Sequence, residues 1–154
     1  MSPELRNPFE RGPYVQLAAF CERALREGDG VLSLIRVVDV ITHTERSPSP
    51  PDTMPEFHYP LTLVITLKSG TARGRHEVNI IPEQPSGETL PPANTSVNFE
   101  GEGKGVNIVT RIDIPYRYEG LYWFSVLIND QLITRMPLEV RYARMVTAQS
   151  TGNP

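Results

Sequence analysis

The chain has one cysteine, Cys21, among its 154 residues, so it can form no disulfide within itself. It also lacks long hydrophobic runs. None approaches the ~20 apolar residues that cross a bilayer as a helix, and no membrane partner is expected. No leader of basic and then apolar residues opens the sequence, so the expected location is the cytoplasm. Charge of one sign is scarce as well. The formal net charge is −3 and no dense block of Lys and Arg occurs, so nucleic acid is not the expected partner. A sustained helical period is missing too, which leaves strands and turns to build the fold.

What is abundant is punctuation. The 15 Pro and 11 Gly predict short elements separated by many turns. Residues 1–12 read as a flexible N-terminal arm. Val15, Leu17, Ala19 and Cys21 fall on alternate positions and predict a strand over about 13–21, with helix formers following it. Gly28-Asp29-Gly30 turns the chain. Val31 to Thr42 is a long β-branched stretch, apolar on both faces. Residues 43–60 hold five prolines and read as a long loop, because proline removes donors and fixes backbone angles. Phe57 and Tyr59 near its end are placed to pin it to the body.

Leu61, Leu63, Ile65 and Leu67 alternate with more polar residues, and so do His76, Val78 and Ile80, with Pro82 expected to stop the second strand. A short strand over Val97 and Phe99 follows. Val106, Ile108, Ile112 and Ile114 mark the next. The last hairpin carries the strongest pattern, with Gly120 to Ile128, an Asn129-Asp130 turn, and a return strand through Val140. If Tyr122, Phe124, Val126 and Ile128 face the core, Leu138 and Val140 must share that face. Equal parity on both strands requires a three-residue loop over Asn129-Asp130-Gln131 or a bulge beside it. The expected fold is all-β: an immunoglobulin-like antiparallel β-sandwich of seven to eight strands with a long Pro-rich loop. Its domain spans 13–142, and residues 143–154 read as a disordered tail.

Gly-Leu-Tyr-Trp-Phe at 120–124, the Asn-Asp turn and Met-Pro-Leu-Glu-Val at 136–140 resemble an uncharacterised family of small bacterial proteins. Ala19-Phe20-Cys21-Glu22, Asp29-Gly30-Val31-Leu32-Ser33 and Val37-Val38-Asp39 extend the resemblance over most of 13–142. It implies an immunoglobulin-like sandwich of unknown function and carries no catalytic residues. The chain departs from the family pattern at the turn, where Asp130-Gln131 replaces Asp-Gly.

Catalytic and ligand signatures are thin. His43, His58 and His76 are far apart in sequence, and a metal site would need them to converge with carboxylates or Cys21. Asp29, Asp52, Asp113 and Asp130 stand singly, too sparse for a hard cation. Cys21 lies on an apolar strand face, where burial makes a thiol inert. Ser33, His76 and Asp39 can be written as a triad, but no Gly-x-Ser-x-Gly elbow accompanies them. Gly101-Glu102-Gly103-Lys104-Gly105 lacks the Gly-Lys-Ser/Thr ending that holds phosphate. Arg73, Arg75 and His76 with Lys68 form a small basic patch that reads as a charged sheet edge. No cofactor is expected.

Leu121, Trp123 and Leu127 lie opposite the inward set of the penultimate strand, with Ile133 beside them. This predicts an outer apolar face covered by a loop, a protein partner or a second copy of the chain. The leading expectation is a non-enzymatic protein-interaction or assembly module. Next comes a small-ligand or carbohydrate-binding sandwich using Tyr116, Tyr118 and Trp123. A Ser or Cys hydrolase is third.

Overall fold

The computed structural model of the protein describes residues 12–101 and 104–149. Among these there is no helix and there are eleven strands. In chain order they are β1 (Tyr14–Arg26), β2 (Leu32–Val38), β3 (Val40–Ser47), β4 (Phe57–His58), β5 (Leu61–Lys68), β6 (Gly74–Glu83), β7 (Ala93–Phe99), β8 (Gly105–Ile112), β9 (Pro115–Tyr116), β10 (Gly120–Ile128) and β11 (Gln131–Val146). A four-stranded sheet has the order β2-β1-β5-β8, a five-stranded sheet the order β3-β11-β10-β6-β7, and β4 pairs with β9.

Alternation explains how the two large sheets share one interior. Leu61, Leu63, Ile65 and Leu67 of β5 and Val78 and Ile80 of β6 meet Tyr122, Phe124 and Val126 of β10 in a single core. The rings of Phe20 and Phe124 touch edge to face across it, with centroids 4.9 Å apart. Leu138 and Val140 are buried on the same side, as the parity of the last hairpin demands. The bulge solves the parity problem. Ile128 pairs with Gln131 across a two-residue turn, while Val126 pairs with Thr134 and Leu127 with Leu132, leaving Ile133 as the extra residue. Asn129 and Asp130 both take positive φ, 48° and 65°, the backbone of a type I′ hairpin turn.

Several expectations are corrected. The long β-branched stretch does not form one strand. It breaks at Asp39, with β2 pairing in the four-stranded sheet and β3 crossing to the other. There β3 runs parallel to β11 over eight pairs, from Glu139↔Val40 to Val146↔Ser47, so the pairing is not purely antiparallel. That ladder carries β3 into the expected loop and β11 into the expected tail. Backbone pairing needs no alternating apolar pattern, which is why the polar residues at 43–47 and the short Ala143-Arg144-Met145-Val146 segment gave no strand signal. The strand count also rises above seven to eight. The expected arm, apart from Gly12, and residues 150–154 lie outside the described residues, as do Glu102 and Gly103.

Pro82 sits inside a strand rather than ending it, and Pro137 likewise lies within β11. Pro82 pairs with Phe124 beyond the last β6–β7 pair, Ile80↔Ala93. Pro137 pairs with Trp123 before the first β11–β3 pair. Each therefore has a strand partner on one flank only, where a missing N–H can be tolerated.

The segment 48–56 is anchored at several points. The Tyr142 hydroxyl donates to the Pro51 carbonyl at 2.7 Å and Arg144 donates to the Pro50 carbonyl at 3.0 Å. Phe57 stacks on His43, centroids 4.6 Å apart, and lies 5.5 Å from Tyr116. Phe57 and Tyr59 do pin this segment to the core.

Candidate functional site

The sequence-predicted residues do not assemble a catalytic centre among the described residues. Ser33 donates to Glu27 at 2.7 Å. The His76 ring nitrogens are engaged by the Arg73 carbonyl at 3.0 Å and the Asn129 amide at 2.7 Å. His58 meets Asp113 at 2.9 Å, and His43 meets Glu45 at 2.8 Å. No three His, Cys, Asp or Glu side chains converge as a metal site there.

The expected outer apolar face is broken up. Leu121 is exposed, whereas Trp123 and Leu127 are half-buried. The Arg135 guanidinium lies 4.7 Å over the Trp123 ring, and Glu83 holds that guanidinium at 3.6 Å. A cation on an aromatic face is a satisfied arrangement that needs no further cover. Ile133, displaced by the bulge, packs against the core instead. Tyr116 is completely buried, which removes it from any exposed aromatic surface.

Apolar surface is concentrated on the outside of the four-stranded sheet. Phe20 and Ala18 face the core, so Leu17, Ala19 and Cys21 point the other way. The expected apolar face of this strand is real but turned outward. Register places Leu17 beside Thr66, Ala19 beside Val64 and Cys21 beside Thr62. Across β5, Val109 follows Val64 and Asn107 follows Thr66.

The β1–β2 hairpin folds back over this face. β5 pairs only with residues Tyr14 to Cys21 of β1, and β2 pairs with Phe20 to Arg26. In a straight strand Leu17 would lie roughly 30 Å from Arg26, at ~3.3 Å per residue. Leu32, the partner of Arg26, nevertheless shares one groove with Leu17. The arm is therefore bent. Arg36 marks the bend with φ 56°, outside the strand region for a non-glycine residue. Its guanidinium is tied to Glu22 at 2.9 Å. The hairpin tip is closed by Glu27 N–H to Val31 O at 2.8 Å, and Asp29 accepts from the Val31 N–H at 3.1 Å.

The space between arm and sheet is an open groove of about 550 Å³, inside the ~300–1,000 Å³ range of small-molecule sites. Its arm wall is apolar, formed by Val31, Leu32 and Leu34. Its sheet wall is mostly polar, with Gln16, Thr66, Lys68 and Asn107 around Leu17. Leu17 is 39% exposed and Val31 60%, so apolar surface remains open within it. Single-sequence reading misses this site because a bend creates it.

Cys21 and Val64 lie on this outer face, yet both are fully buried. Burial pushes the Cys21 thiol pKa upward, opposed by a backbone hydrogen bond at Arg23. Cys21 is expected to resist a thiol reagent such as dithionitrobenzoate at neutral pH and to react fully in denaturant. Rapid labelling of the native protein would show that the packing around Cys21 opens.

Comparison with known proteins gives a family and little else. The model of a family of unknown function (DUF6941) matches residues 16–141. No curated protein matches the chain. Among solved structures, the chain is similar to the Pseudomonas fluorescens alkylpurine DNA glycosylase AlkC bound to DNA containing an abasic site analog. The identity is 15% and the TM-score 0.44, over 80% of this chain and 30% of that one. The chain thus spans under a third of that protein, and the likeness carries no argument about activity. The partner expectation is corrected to this extent: a protein bound to DNA stands among the neighbours where no nucleic acid was expected, at a TM-score that assigns no partner to this chain, and no protein partner or second copy is assigned to the Trp123 face. No helix among the described residues is long and apolar enough to cross a membrane.

Proposed function

The chain belongs to DUF6941, a family of unknown function, and we propose that it is a non-catalytic binding domain that takes a small molecule in the groove under the β1–β2 arm. The carrying observation is the groove itself, with leucine and valine on one wall and amides, a hydroxyl and an ammonium on the other. Sites of this kind combine apolar walls with a few polar groups that orient the ligand. The engagement of Ser33, His76 and buried Cys21 with other partners or packing supports binding rather than hydrolysis.

The same reading treats the fold as an immunoglobulin-like sandwich with an extra strand, β1, inserted beside the sheet-switching strand. Three features support it. The β2–β3 stretch changes sheets at Asp39, its second half pairs parallel to the last strand, and the Tyr122 hydroxyl near the start of β10 accepts from the Arg117 and Tyr118 N–H groups, each at 3.1 Å. The last is the tyrosine-corner arrangement of such sandwiches. A single buried thiol suits a reducing compartment, in keeping with a cytoplasmic setting.

Proton–nitrogen correlation spectra recorded with a mixed set of short amphiphiles and sugars test the binding role. Amides of Leu17, Leu34, Thr66 and Asn107 are expected to shift with at least one compound. A set that moves none of them, or a sugar that moves Tyr118 and Trp123 instead, would overturn the assignment.

A further inference from the structure

We infer that the groove selects a single-chain amphiphile with an anionic head, a medium-length carboxylate being the simplest example. The inference rests on the groove being a ligand site and adds the sign and position of the charge it reads. Among the described residues that wall the groove the one charge is Lys68, and none of these is a carboxylate. This is notable in a chain of net charge −3. The acids nearest in sequence to the hairpin tip are engaged locally, Glu27 by the Ser33 hydroxyl and Asp29 by the Val31 N–H. Lys68 has no ion pair among the described residues and remains exposed.

Position matters as much as sign. Lys68 closes β5 where it pairs with Tyr14 on one side and Gly105 on the other. Thr66 and Asn107 face each other one step along the same outer face, and Gln16 stands at the β1 irregularity between Val15 and Leu17. An ammonium flanked by amide and hydroxyl donors is a carboxylate receptor. The apolar half of the groove is supplied by the other arm of the same bend, through Val31, Leu32 and Leu34. Head and tail of an amphiphile are thus addressed by opposite walls. A sugar would leave the leucines wet, and a neutral hydrocarbon would leave the ammonium unanswered.

The test uses the full chain with decanoate and decanol as probes, read by calorimetry and by the groove amides in proton–nitrogen spectra. Decanoate is expected to bind roughly fivefold more tightly than decanol, the scale of a partly exposed ion pair. Lys68→Gln should erase that preference and leave the melting temperature unchanged, because the side chain is exposed and has no ion pair among the described residues. Equal binding of the two probes at the groove would overturn charge selection and leave the ligand site standing. If decanoate fails to move the groove amides while another amphiphile moves them, the carboxylate assignment alone falls. If no compound moves them, the ligand site falls and takes this inference with it.

Discussion

Tyr122→Phe is expected to lower stability by about 2–3 kcal/mol, a fall of roughly 5–10 °C in melting temperature for a domain of this size. The ring stays buried, so packing is nearly unchanged. What is lost is one oxygen that accepts from two backbone N–H groups, those of Arg117 and Tyr118. Both donors are left unpaired where β9 hands the chain to β10. Tyr116→Phe supplies the contrast. The Tyr116 hydroxyl is buried with no hydrogen-bond partner among the described residues, and deleting it should be neutral or slightly stabilising at pH 7. Burial beside Tyr122 also pushes the Tyr116 phenol well above its ordinary range. The unfolded phenol loses its proton near ~10 while the folded one keeps it. Below about pH 10 this difference has no effect on stability, and as pH rises beyond that, proton loss favours the unfolded chain and stability falls. Tyr116→Phe should flatten this alkaline loss. Urea unfolding of the two variants at pH 7 and pH 10.5 checks both statements. Equal losses for both at pH 7 would refute the hydrogen-bond account of Tyr122.

Phe124→Ala should be the most damaging single truncation, costing about 3–5 kcal/mol. Phe124 is fully buried on β10, in the middle of the five-stranded sheet, and meets Phe20 of the other sheet edge-on. Removing the ring opens a cavity between the layers that the surrounding strands cannot easily fill. Leu121→Ala, three residues earlier on the same strand, is the control. Leu121 is 47% exposed, and its truncation should stay within about 0.5 kcal/mol. Chemical unfolding midpoints at constant slope separate the two cases. A Phe124→Ala variant as stable as Leu121→Ala would mean that the sheets are not closed over this ring.

Strands buried on one face announced themselves: Leu61 to Leu67, Val106 to Ile112 and Gly120 to Ile128 all alternate and all form ladders. Parity alone required either a three-residue loop over Asn129-Asp130-Gln131 or a bulge beside it, and the chain takes the bulge. The second half of β1 was obscured because Glu22 to Arg26 are good helix formers, and pairing with β2 overrides that preference. The inward face of β1 was obscured because both of its faces carry apolar side chains, so the period gave no direction. The parallel β3–β11 ladder joins residues almost 100 positions apart and is made of backbone, which leaves no local trace. The groove depends on a bend at Arg36, a residue type with no bias toward positive φ. The Trp123 face was expected to be apolar and is broken up instead, because Arg135, a charged residue that composition counts as solvated, lies over the ring.

The crossing at Asp39 has a mechanical consequence. Because β3 runs alongside β11 in the same direction, tension between the β2–β3 junction and the far end of β11 acts along the strand axis. The ladder from Val40 to Ser47 would then be sheared as a block, its bonds sharing the load, where an antiparallel hairpin pulled from its open end would unzip one bond at a time. Resistance to pulling should accordingly depend on direction, and a stretch of polar, half-exposed chain that contributes little to the interior would bear most of the force.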